Sequence, residues 1–180
     1  MLHSVYERGY TATTVADVVG LAAVSRSTFY TQFSDREACF IAAYDHAMEY
    51  ALARMARAGA DAESRPWRER TRRSLTAYLE ALADEPALAV TLHVEVLAAG
   101  PAAIESRASL LSALATQVAS LNQLAAGDDA SVRALPGSLF ALYTGGLDEL
   151  IRDRLRTGGA AGLRQLAEPL LEATYALFRA

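Results

Sequence analysis

An all-α protein is predicted, built as an N-terminal three-helix head and a C-terminal six-helix body. Three observations carry this. Alanine and leucine dominate a chain that is 52% hydrophobic, too apolar for a disordered segment. Apolar residues recur at three- and four-residue spacing, and no convincing run alternates as a half-buried strand does. Ser, Thr and Asp stand where helices would start, and Gly or Pro where they would stop.

The head comes first. Leu2, Val5 and Tyr6 share one face of a short first helix, and Gly9 can close it in a left-handed conformation. Thr14 precedes Val15, Val18, Val19 and Ala22, which recur at helical spacing. Its hydroxyl can accept from a free N–H of the first turn, and Asp17 places a carboxylate at the positive end of the helix. Ser25 offers the next cap, for a helix opening on Arg26, Ser27 and Thr28. Phe29 and Phe33, four residues apart, can bury together. Arg26, Ser27, Thr31 and Gln32 are then left mostly away from the buried face. Ser34 with Glu37 reads as a capping box opening a long helix from Asp35 to about Ala58. Two short helices with a tight connection, followed by a third with its own cap, have the layout of a DNA-reading helix-turn-helix.

The body follows. Phe40, Ala43, Tyr44, Ala47 and Ala51 continue the long helix as a connection from the head, broken at Ala58-Gly59-Ala60-Asp61. Further helices are expected over about 66–83, with Pro66 at the first position, over 86–99, and from Gly100-Pro101 to about 125. After the loop Gly127-Asp128-Asp129, a helix is expected over about 130–156. The last is expected over about 161–178, kinked at Pro169. The head is assigned to residues 1–40 and the body to 41–180. No internal repeat or low-complexity linker interrupts them.

Composition narrows the function. The net charge of −4 argues against a protein that binds nucleic acid over its whole surface. Even residues 1–40 carry Arg8, Arg26 and Arg36 against Glu7, Asp17, Asp35 and Glu37, a weak electrostatic footprint for a phosphate backbone. The single cysteine, Cys39, excludes an internal disulfide and fits a reducing cytoplasm; burial as a small apolar residue suits it better than redox sensing. No apolar run is long enough to span a membrane, and no signal pattern opens the chain. No His/Cys/Asp/Glu cluster has metal spacing, since His3, His46 and His93 lie in different segments, and no cofactor motif is present. The arginine run around Trp67 (Arg65, Arg68, Arg70, Arg72, Arg73) reads as a solvated helix face, interrupted by Glu69.

The run Gly9-Tyr10, Thr13-Thr14-Val15, Ala22-Ala23-Val24-Ser25, Thr28-Phe29-Tyr30, Phe33 and Arg36-Glu37 resembles the DNA-binding domain of TetR-family (TetR/AcrR) transcriptional regulators. The resemblance covers under a quarter of the chain. It implies a homodimer that binds double-stranded operator DNA, a small-molecule effector, and in most such families a repressor. The family usually has a longer first helix, often behind a basic arm, so residues 1–8 read as the last part of one. Ala23 stands where the family usually has a turn glycine, and Arg36 where it usually has lysine. On this reading Arg26, Ser27, Thr31 and Gln32 are candidates for base edges. Thr14, Ser25, Thr28, Tyr30 and Arg36 are candidates for phosphates.

The resemblance also places an effector pocket in the middle helices. Tyr78, Leu82, Leu92, His93, Val96, Phe140, Tyr143, Thr144 and Leu147 have the make-up of a largely apolar pocket, and equally of an ordinary helical core, which is the reading favoured for any one of them. A lone histidine such as His93 is more often hydrogen-bonded in the core than a ligand contact. It implies, too, that the last two helices pair with their copies. The candidate interface is Leu139, Leu142, Gly146 and Leu150 on one, and Leu166, Leu170, Ala173 and Leu177 on the other, with intrachain core as a second role. Two other functions compete. An enzyme would need a nucleophile elbow, phosphate loop or metal spacing, and none occurs. An interaction protein of the same fold with weak or lost DNA binding is favoured by the neutral head and short first helix.

Overall fold

The computed structural model describes residues 1–179 and is helical throughout, with no strand among them. The head holds α1 (Leu2–Arg8), α2 (Val15–Ala22) and α3 (Arg26–Gln32). The long α4 (Arg36–Ala60) runs from head to body. The body adds α5 (Trp67–Asp84), α6 (Pro86–His93), α7 (Pro101–Asp128), α8 (Gly137–Gly158) and α9 (Ala167–Arg179), with 3₁₀ turns at Glu95–Ala98 and Ala160–Leu166.

The head starts behave as local chemistry dictates. Thr14 Oγ accepts from the Asp17 N–H, and the Asp17 carboxylate accepts from the Thr14 N–H at 2.8 Å, a full capping box. These bonds from Thr14 hold the Asp17 carboxyl below its ordinary range. Ser25 Oγ accepts from the Thr28 N–H at 3.0 Å. The third cap is shifted by one residue from the expected Ser34–Glu37 box. Asp35 Oδ1 accepts from the Ala38 N–H at 2.8 Å, and Ser34 donates to the other carboxylate oxygen. The carboxylate outcompetes the hydroxyl because a charged acceptor makes the stronger bond to an N-terminal N–H.

Ala23 closes α2 at φ 54°, ψ 38°, the only non-glycine residue with positive φ among those described. Its N–H bonds to the Gly20 carbonyl and the Val24 N–H to that of Val19, the paired bonds of a Schellman motif. A β-carbon in this conformation costs about 1–2 kcal/mol, and glycine loses part of that gain through its more flexible unfolded chain. Ala23→Gly is therefore expected to stabilise the protein by about 0.5–1 kcal/mol. A urea titration with unchanged slope and an unchanged or lower midpoint would contradict this.

Several body boundaries differ from the periodic pattern. The segment 130–136, expected as helix, is a loop, and α7 runs through Gly127 and Asp128, which were expected as loop. Pro136 restricts Leu135 to extended backbone, and buried Asn122 binds the loop at both the Leu135 N–H and the Arg133 carbonyl. The helix expected over 86–99 stops at His93 and continues as a 3₁₀ turn before Gly100, whose φ is 104°. Pro169 makes no kink: α9 begins at Ala167, so the missing N–H falls in the first turn, where no partner exists. Gly59 does not break α4 either. A β-carbon there would come within 2.6 Å of Ser74 Oγ, so the glycine lets α4 and α5 close on each other.

The main core lies where α4, α5, α6 and α8 meet, filled by Phe40, Tyr44, Leu79, Leu82, Leu92, Ile151 and Leu163. A second cluster at the far end packs Trp67, Phe140 and Phe178. A third, in the head, joins Val18, Phe29 and Cys39. Head and body meet where α1 packs on α6. There the Glu95 carboxylate accepts the Tyr10 N–H at 2.6 Å.

Candidate nucleic-acid interface and ligand cavity

The recognition helix α3 is pinned on one side only. Phe29 is buried and its ring lies 5.4 Å from that of Phe33, while Tyr30 meets Phe29 edge-on and remains 56% exposed. Arg26, Ser27, Thr31 and Gln32 are all exposed on the remaining surface. Thr31 spends its hydroxyl proton on the Ser27 carbonyl, and Ser25 and Thr28 bond each other at 2.9 Å. Thr14 is exposed but occupied with Asp17.

Arg36 is placed differently from the sequence expectation. Its guanidinium donates to the Thr13 carbonyl at 2.6 Å and the Tyr10 carbonyl at 3.0 Å, and lies 4.2 Å above the Tyr10 ring. It is half-buried, and its Nη1 ties the α1–α2 loop to α4. Arg8 in turn faces Asp17 at 3.6 Å. Among the described residues of the head, Arg26 is the arginine without an ion pair or hydrogen bond.

A cavity of about 310 Å³ opens in the body, lined by the end of α4, the first half of α5, and α7, α8 and α9. Met55, Leu75, Leu114, Leu121 and Leu147 make its walls apolar, and Tyr78, Tyr143, Thr144 and Arg70 add polar atoms. Tyr143 bonds Thr174 at 2.7 Å, and burial pushes its hydroxyl pKa up. Of the pocket residues proposed from sequence, Tyr78, Tyr143, Thr144 and Leu147 line this cavity. Phe140 lines an adjoining shallow groove between α7 and α8. Leu82, Leu92, His93 and Val96 do not reach it: α6 is wedged between α1, α4 and α8, so its inward side chains become core.

His93 has a structural partner set that sequence could not show. It is fully buried, with Nδ1 2.7 Å from the Asp148 carboxylate and Nε2 3.2 Å from the Tyr78 hydroxyl. Asp148, also fully buried, is bonded by Arg107 and Arg152, and Arg152 donates to the His93 carbonyl at 2.9 Å. Burial alone would raise the Asp148 pKa, but the hydrogen bonds and charges of His93 and Arg107 outweigh it and hold the carboxyl below its ordinary value of 3.8. The network joins α5, α6, α7 and α8, and through Tyr78 it borders the cavity.

The proposed dimer residues divide in two. Leu142 (72% exposed), Leu150 (49%), Gly146 and Ala173 are open to solvent, and Leu139 and Leu177 are half-buried. Leu166 and Leu170 are instead intrachain core, because the 3₁₀ turn before α9 turns them onto α5 and α8. The arginine run is divided: Arg65, Arg72 and Arg73 lie on the solvated face, while Arg68 and Arg70 are half-buried. Trp67 is buried, Arg68 stacks on Trp67 and Tyr175, Arg72 pairs with Glu168, and Arg73 with Glu69.

Residues 3–43 match the family model described as bacterial regulatory proteins, tetR family. No curated protein sequence matches the chain. Among solved structures, the fatty acid degradation regulator FadR from Bacillus halodurans superposes with a TM-score of 0.84 at 17% identity, over 96% of this chain and 89% of that one. FadR from Bacillus subtilis, solved with stearoyl-CoA, gives 0.81 at 18% identity, over 96% and 92%. The TetR-family regulator PfmR from Thermus thermophilus gives 0.73 at 16% identity, over 96% and 90%. At these identities the structures speak to the fold, and the head match to the family.

Proposed function

We propose that this chain, whose residues 3–43 match the tetR-family model, is a ligand-responsive repressor. It acts in the cytoplasm as a homodimer on double-stranded operator DNA and is released by a small, largely apolar effector. The carrying observation is that one helix serves both sites. The first turns of α4 hold Cys39 and Phe40 in and beside the head core, and its last turns present Met55 and Gly59 to the cavity. A ligand that favours one placement of α4 thereby favours one spacing of the heads, and DNA affinity changes by population shift. The Bacillus subtilis regulator was solved with stearoyl-CoA, and an acyl chain suits the apolar walls here.

On DNA, α3 enters the major groove with Arg26 and Gln32 at base edges, aided by Ser27 and Thr31. Tyr30, Ser25, Thr28 and Thr14 meet phosphates. With Arg36 partly engaged by the α1–α2 loop and Arg8 facing Asp17, the head has little charge to spare, so affinity is modest and depends weakly on salt. That same feature favours the second reading, an interaction protein that has lost DNA binding.

Binding to the region upstream of the gene itself, measured by anisotropy over a salt series, decides between them. Tyr30→Ala should weaken binding about tenfold on every sequence. Gln32→Ala should change the preferred base at one position, an effect of about 1–3 kcal/mol. No sequence preference at the lowest salt would remove the repressor reading, and identical losses from both variants would remove these roles.

A further inference from the structure

Arg70 stands in the lining of the cavity, one turn into α5, and is half-buried. Its Nε is shielded from solvent and has no hydrogen-bond partner. The nearby carboxylates are otherwise engaged: Glu69 faces Arg72 and Arg73, and Glu168 pairs with Arg72. Glu63, the acidic residue of the lining, is exposed and forms no ion pair with Arg70 among the described residues. Arg70 is thus a guanidinium beside a largely apolar space, without an ion pair or hydrogen bond among the described residues. An unpaired guanidinium at a cavity wall is best met by a carboxylate or phosphate on its outer nitrogens. The positive end of the α5 dipole adds the same sign of potential at this spot.

We infer that Arg70 selects an anionic amphiphile, an aliphatic chain lodged among Met55, Leu114, Leu121 and Leu147 with its carboxylate or phosphate on the guanidinium. This rests on the effector reading of the cavity and adds to it the charge of the ligand and the residue that reads it. The anionic group can belong to a free fatty acid or to the phosphates of an acyl thioester, and both present the same chemistry to Arg70.

The test titrates the full chain by calorimetry with dodecanoate, dodecanoyl-CoA and the uncharged dodecanol, each below its micelle concentration. At least one anion should bind about tenfold or more tightly than dodecanol, and the tighter of the two identifies the source of the charge. Arg70→Gln should erase that margin while leaving dodecanol binding and the melting temperature unchanged, and Arg70→Lys should restore part of it. If dodecanol binds wild type as well as both anions do, or Arg70→Gln keeps the margin, the role of Arg70 is overturned although the cavity stands. If no probe binds, or a cavity-filling Leu121→Trp leaves all binding intact, the cavity reading falls and this inference with it.

Discussion

Asp148→Ala is expected to lower folding stability by about 3–5 kcal/mol, the range for removing one partner from a buried ion cluster. The substitution leaves His93 without the acceptor at Nδ1 and strands Arg107 and Arg152, whose side chains are 22% and 15% exposed. Because both arginines reach some water, the lower end of the range applies. Chemical denaturation would show it as a large drop in midpoint at constant slope, and a drop worth under about 1 kcal/mol would contradict the role given to the cluster. The effect carries a pH signature. The folded carboxyl titrates below its ordinary 3.8, so its stabilisation is fully present above that value. It is lost as pH falls through the lower folded pKa. Asp148→Asn should lack this acid-limb contribution.

Leu142→Arg combined with Leu150→Arg is expected to convert the proposed homodimer into monomers and to reduce affinity for the proposed operator by about 10²–10⁴. That is the scale set by losing the effective concentration with which one bound head presents the other. The four-residue spacing of Leu142, Gly146 and Leu150 places them on one face of α8, open in the single chain. In the proposed dimer two arginines there would meet their symmetry copies, so like charges would oppose association. Since the positions are exposed in the monomer, the variant should fold normally. Sedimentation velocity reads the oligomer and anisotropy the affinity. A variant that remains dimeric would place the interface elsewhere, and a monomer with undiminished affinity would separate dimerisation from DNA reading.

The head was legible in the sequence to a degree that the body was not. Thr14–Asp17 and Ser25–Thr28 are bonds between residues three apart, so composition and spacing suffice to foresee them. The left-handed turn at Ala23 was suggested only by the resemblance, since the family usually has glycine at that position. Where two acceptors stood side by side, as at Ser34 and Asp35, spacing alone chose the wrong one. In the body, periodicity identified apolar faces but not what each face meets. Leu142 and Leu170 read alike in sequence, yet one is solvent-facing and the other core. Arg70 and Arg72 read as one solvated run, yet Arg70 lines a cavity while Arg72 stays exposed and pairs with Glu168 at the surface.

By itself, then, the sequence determined the helical class, the order of the elements, the capped head and its family resemblance, because each depends on interactions within a few residues along the chain. The packing of the helices decided the rest. His93 and Asp148 are 55 positions apart and Tyr10 and Glu95 are 85, so no local pattern foretells either pair. Arg36 could reach a phosphate on any isolated helix; only the folded α1–α2 loop, with three carbonyls turned toward it, engages its Nη1. A buried or half-buried charge is satisfied by whatever the fold brings to it, and that is a property of the whole structure.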